Sequence, residues 1–105
     1  MLLKILLVNA PDDDCEIIRN SLSEDISVTS CRGSEALDKI NRNEDIDLMI
    51  LDLSVYEDEG FELLSALKSN TQYSNLRTII LIKAGEFEKE IKGFELGAID
   101  CINKP

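Results

Sequence analysis

Asp47-Leu48-Met49-Ile50-Leu51-Asp52-Leu53 is an unbroken apolar run framed by aspartates. Its length and continuity suit a strand covered on both faces, because a strand with one wet face would alternate. An aspartate closing such a strand is costly to bury without partners, so Asp52 is the first residue to interrogate. Working backward, Gly33-Ser34-Glu35 opens a helix with Ala36, Leu37 and Ile40 on one face, and Ile26 to Cys31 alternates as a short strand. Cys15, Ile18 and Leu22 recur at helical spacing behind Asp12, Asp13 and Asp14, whose charges suit a helix N-terminus. Leu2 to Val8 is a further apolar strand, ended by Asn9-Ala10-Pro11. Working forward, the acidic loop Glu57-Asp58-Glu59-Gly60 leads into a helix with Phe61, Leu64 and Leu67 inward. Thr78 to Ile82 is a fourth strand, and Phe87, Ile91 and Phe94 mark another helix with Gly97 placed as its C-terminal cap. Ile99 to Asn103 is a last short strand before Lys104-Pro105.

Strands alternating with helices imply right-handed crossovers and a parallel α/β sheet. Chemistry in such sheets gathers beyond the carboxyl ends of the strands, which here are Asn9, Ala10, Asp52, Ser54, Lys83 and Lys104. The 105 residues make one domain.

The formal net charge of -10 argues against nucleic acid and against an anionic membrane; it reads first as a solvated surface, with a cation site or a basic protein partner as the sharper alternative. Histidine is absent and Cys15, Cys31 and Cys101 form no close pair, so zinc sites and histidine catalysis lose their usual residues. Free thiols in a reducing cytosol are expected. The apolar start, Met1 to Val8, is interrupted by Lys4 and is too short for a membrane span or a signal peptide. A cytoplasmic location is expected.

Three stretches together resemble the receiver domains of bacterial response regulators. Asp47-Leu-Met-Ile-Leu-Asp52-Leu, followed by Gly60-Phe-Glu-Leu-Leu, looks like the family's phosphoacceptor segment. Gly93-Phe-Glu-Leu-Gly-Ala-Ile-Asp-Cys-Ile-Asn-Lys104-Pro105 looks like its closing helix-to-strand stretch, and Val8 through Leu22 aligns with its first strand and helix. The resemblance implies a doubly wound, flavodoxin-like sheet of five parallel strands in the order 2-1-3-4-5. It also implies Mg²⁺-assisted phosphoryl transfer to Asp52 from a histidine kinase or phosphotransfer protein, an output domain or partner protein downstream, and a cis bond before Pro105. The receiver itself is then not an enzyme.

Charge must be neutralised before an oxygen nucleophile can approach a phosphoryl group, which is why the family gathers a metal and a lysine there. Lys104 matches that lysine. The acidic pair that would hold Mg²⁺ falls on Asn9 and Ala10, leaving Asn9, Asp52 and the Ser54 carbonyl as a weakened metal set. The hydroxyl that would read the phosphate falls on Lys83, the aromatic position on Cys101, and a proline position on Tyr56. Lys83 and Lys104 are both expected to approach Asp52 and neutralise it without a divalent ion. Asp12, Asp13 and Asp14 are weighed as substitute acids against the simpler reading of helix-start charge, and Glu57, Asp58 and Glu59 as a solvated loop at the site mouth. The alternative to a phosphate switch is a pseudo-receiver, an interaction module indifferent to phosphate.

The family continues into a final helix, absent here, so residues 1–105 are expected to be cut before it unless that helix is dispensable. Apolar surface near Cys15, Ile18 and the first strand is then expected to be exposed and to invite homodimer contacts. Other classes fit less well. An aspartate-nucleophile phosphatase needs a second aspartate where Ser54 stands, a nucleotide fold needs glycines near Asn9-Ala10-Pro11, and a flavin protein needs loop aromatics.

Overall fold

A computed structural model of the chain describes residues 3–42, 45–73 and 75–104. The elements run β1 (Leu3–Val8), α1 (Asp12–Ser21), β2 (Ile26–Cys31), α2 (Gly33–Asn41), β3 (Leu48–Asp52), α3 (Glu57–Lys68), β4 (Arg77–Lys83), α4 (Phe87–Glu95) and β5 (Asp100–Lys104), with a 3-10 turn at Thr71–Tyr73. Every pairing is parallel and the strand order is β2-β1-β3-β4-β5, as the sequence leads one to expect. Leu2, expected in the first strand, and Pro105, expected after a cis bond, lie outside the described residues.

Partners in a parallel register share a face of the sheet, and successive residues alternate between faces. Leu6, Val8, Met49, Leu51, Leu53, Ile80 and Ile82 therefore form one face, joined in a single buried cluster by Ala36 of α2, by Phe61, Leu63, Leu64 and Leu67 of α3, and by Ala98. Each fully buried Leu or Ile there contributes about 1.5–3 kcal/mol. The opposite face carries Ile5, Leu7, Ile50, Ile79, Leu81 and Asp52, with α1 laid over its β1–β2 side: the Arg19 guanidinium donates to the Val28 carbonyl and the Ser30 hydroxyl.

That placement corrects one expectation in part. Cys15 and Ile5 through Val8 are buried, Ile5 and Leu7 on the face that α1 overlies and Leu6 and Val8 on the other; Leu3 at the start of β1, Ile17 on the outer side of α1 and Ile102 on the edge strand are exposed. A second correction concerns Glu57-Asp58-Glu59-Gly60, which is the first turn of α3 and not a loop. Three carboxylates in a first turn are favourable beside the free N–H groups there. Gly97 does cap α4: it adopts a φ of 102°, its N–H reaches the Phe94 carbonyl, and the Ala98 N–H reaches Gly93.

Candidate functional site

Asp52 is completely buried at the carboxyl end of β3, and both of its oxygens are engaged. Oδ1 accepts from the Ser54 N–H at 2.8 Å and from the Ser54 hydroxyl at 2.6 Å. Oδ2 accepts from Lys104 Nζ at 2.7 Å. The same ammonium donates to Ser54 Oγ at 3.1 Å and pairs with Asp14 Oδ2 at 2.6 Å. Lys104 reaches this point because β5 ends level with β4, one strand from β3. Burial alone would lower the pKa of Lys104, but its bonds to Asp14 and Asp52 outweigh burial and hold the pKa above the usual 10.5. A single internal cation thus serves two carboxylates.

Around this centre lies a second layer. Asn9 turns the chain from β1 toward α1 in the left-handed region, at a φ of 64°, which asparagine tolerates better than most residues. Its Oδ1 accepts from the Gly33 N–H at 2.8 Å and from Arg32 Nε at 3.2 Å, while Nδ2 is buried with no partner. Arg32 also pairs with Glu59 Oε2 at 3.0 Å and lies 3.6 Å over the Tyr56 ring, so it spans from β2 to the start of α3. Tyr56 is itself left-handed, at a φ of 51°. On the other flank, Lys89 donates to the Leu53 carbonyl at 3.2 Å and pairs with Glu86 at 2.5 Å and with Glu57 at 3.5 Å. The hydrogen bond with Glu86 raises the Lys89 pKa and lowers that of Glu86.

Among the sequence candidates, Asp52, Lys104 and Ser54 converge. Ser54 does so through its side-chain hydroxyl and N–H, so its residue type matters more than a carbonyl-only role would suggest. Lys83 does not join them: its side chain is exposed and makes no ion pair with Asp52. It sits beside Lys104 in the register, at the exposed end of β4. Of Asp12, Asp13 and Asp14, only Asp14 reaches the centre, through Lys104. Glu57 and Glu59 are paired rather than merely solvated. Cys101 is a half-buried thiol packed against the core, and burial raises its pKa, as it does for Cys15.

Arg32 and Lys89 are the participants that sequence reading missed. Arg32 directly follows the end of β2, a strand end that belonged beside the others. Lys89 lies on a helix interior and gives no such signal.

The family's divalent ion is a poor fit to these residues. Ala10 has no side-chain donor atom for a metal, the acceptor oxygen of Asn9 is already taken, and the atom of Asn9 left without a partner among the described residues is a hydrogen-bond donor. Among the described residues no three acidic or cysteine side chains converge. Such a set suits a carboxylate balanced by an ammonium and not an oxygen cage for Mg²⁺, which takes carboxylates and water in near-octahedral array.

The response regulator receiver domain model matches residues 5–105. A probable cyclic di-GMP phosphodiesterase of Vibrio cholerae is 30% identical over 101 residues, covering 96% of this chain and 23% of that protein. A CpxR-homologous transcriptional regulatory protein of Haemophilus influenzae is 36% identical over 108 residues, covering 97% of this chain and 44% of that protein. The chain thus spans less than half of either relative, and their activities belong to those whole proteins. Among solved structures, a response regulator from Chloroflexus aurantiacus superposes with a TM-score of 0.85 at 26% identity, over all of this chain and 87% of that one. Among the described residues no helix is long and apolar enough to cross a membrane. With Asp52 and Lys104 in contact at the carboxyl edge of a β2-β1-β3-β4-β5 sheet, and with that match along nearly its whole length, the chain belongs to the response regulator receiver domain family.

Proposed function

We propose that this receiver carries its signal as an interaction module whose acceptor centre is held closed by Lys104, without Mg²⁺-assisted phosphorylation of Asp52. One observation carries the reading: both oxygens of Asp52 are engaged internally, while the positions that would hold a metal are Ala10 and an Asn9 already bonded to Arg32 and Gly33. Phosphoryl transfer needs positive charge gathered on the incoming oxygens. Here the available ammonium is divided between Asp52 and Asp14, and Lys83 is exposed and makes no ion pair with Asp52.

Ser54 and Lys104 hold the carboxylate in a fixed orientation, and Arg32 ties the β2–α2 junction to Tyr56 and Glu59. The loops around the site are therefore braced by the chain's own cations. An output domain or separate partner protein then reads a surface that does not wait for phosphate, and a histidine kinase or phosphotransfer protein is not needed to set it.

Incubation of the protein with a small phosphodonor and Mg²⁺, followed by intact mass measurement, tests this. The expected outcome is an unmodified mass. A phosphoryl adduct that disappears in Asp52→Asn would restore Asp52 as a working phosphoacceptor, fed by a histidine kinase or phosphotransfer protein.

A further inference from the structure

On the sheet face that α3 covers, Met49, Leu51, Leu53, Ile80 and Ile82 are sealed from solvent. At the amino end of β4 that packing stops. A cavity of about 270 Å³ lies between the last turns of α3, the turn at Thr71–Tyr73 and the end of α4. Leu64, Leu67, Leu76 and Leu96 line it with Tyr73, and Thr78, itself 4% exposed, lies on its wall. The Tyr73 hydroxyl is bonded to Asn41 Oδ1, which leaves the ring for the cavity. Protein interiors seldom hold a void much larger than a water molecule, and an apolar one stays dry and can take an aromatic ring. Mostly apolar walls with few polar groups are also the make-up of small-molecule sites.

A cation stands on the same lining. Lys68 ends α3 and donates to the Glu95 carbonyl at 2.5 Å, which joins the ends of α3 and α4. Among the described residues it makes no ion pair, although the chain holds 21 Asp and Glu against 11 Lys and Arg. An ammonium has three donors, so the carbonyl leaves two of them for another acceptor. The place is also distinct from the acceptor centre. Thr78 pairs with Met49, three residues before the pairing of Asp52 with Leu81, or about 10 Å along the strands at about 3.3 Å per residue.

We propose that this cavity binds a small aromatic carboxylate, its ring among the four leucines and Tyr73 and its carboxylate on Lys68. Shape and charge together select that class. A carboxylate without a ring leaves the apolar walls unfilled, and a cationic ring sets its charge against Lys68. The binding does not depend on the chemistry of Asp52, so it is measured without phosphodonor or Mg²⁺.

The test titrates benzoate, acetate and benzylamine separately into the whole ¹⁵N-labelled chain. Benzoate is expected to shift amides of residues 67–71, 76–78 and 96–97 saturably at low millimolar concentration, and to raise the thermal midpoint as a ligand of the native state does. Acetate and benzylamine are expected to shift none of these saturably. Lys68→Met should weaken benzoate by about tenfold, the loss of one charge-assisted hydrogen bond, and leave the weaker binding of uncharged benzyl alcohol unchanged. Leu96→Phe, which puts added volume into the cavity, should abolish the benzoate shifts while a cooperative thermal transition shows the fold retained. The absence of a saturable benzoate shift, shifts centred elsewhere, equal binding of benzylamine, or undiminished benzoate affinity in Lys68→Met would overturn the proposal. So would undiminished affinity in a folded Leu96→Phe.

Discussion

At the scale of single residues the account turns on Lys104. It is the cation of a fully buried carboxylate, and removing one partner of a buried pair costs more than the pair itself is worth. Lys104→Met is therefore expected to destabilise the fold by about 3–5 kcal/mol in urea unfolding. The Asp52→Asn/Lys104→Met double variant should lose less than the two single losses added together. The pH dependence follows from the same contact. A lysine whose folded pKa is raised stabilises fully below its unfolded value and loses that contribution as pH climbs through the folded one. Stability of the native chain should thus fall above about pH 10.5 with a component missing from Lys104→Met, read by denaturation at stepped alkaline pH. Much of this centre was legible beforehand: Asp52 closing an apolar run and Lys104 ending the last strand both sit where a parallel sheet collects its chemistry. The lysine contact of Asp14 was less so, because helix-start charge explains three aspartates equally well. Lys83 ends its strand just as Lys104 does, so strand-end position alone does not tell the lysine that pairs with Asp52 from the one that stays exposed.

At the scale of elements, α4 shows how periodicity can identify a helix without saying which side is covered. Phe87, Ile91 and Phe94 mark it correctly as helical, yet the sheet takes the side with Gly93. The reason is steric: close approach to Ile80 leaves no room for a Cβ at 93. Gly93→Ala would gain about 1 kcal/mol in helix propensity, but overpacking against a fully buried Ile80 should cost about 1–3 kcal/mol. The expected net result is a lower thermal midpoint, measured by circular dichroism. The acidic turn at Glu57-Asp58-Glu59 is a parallel case, since the same residues can read as a solvated loop or as a helix start. Pairing direction was the most legible level, because uninterrupted apolar runs separated by helical segments imply a parallel sheet, while the strand order came with the resemblance to receiver domains.

At the scale of the whole molecule, charge dominates. A net charge of -10 on 105 residues makes the folded chain repel itself, and mobile ions relieve that repulsion. Raising NaCl to about 0.5 M should increase the thermal midpoint, whereas a chain stabilised mainly by surface ion pairs would lose stability under the same screening. The acidity also frames the acceptor centre, which keeps its carboxylate at the end of the central strand while a lysine, not a divalent ion, balances it. Magnesium titration followed by ¹⁵N NMR reads that exchange most directly. The native protein should show no saturable shift at Asp52 or Ser54 at millimolar Mg²⁺, and Asn9→Asp/Ala10→Asp should gain one. A saturable shift at those two residues in the native protein would contradict the account.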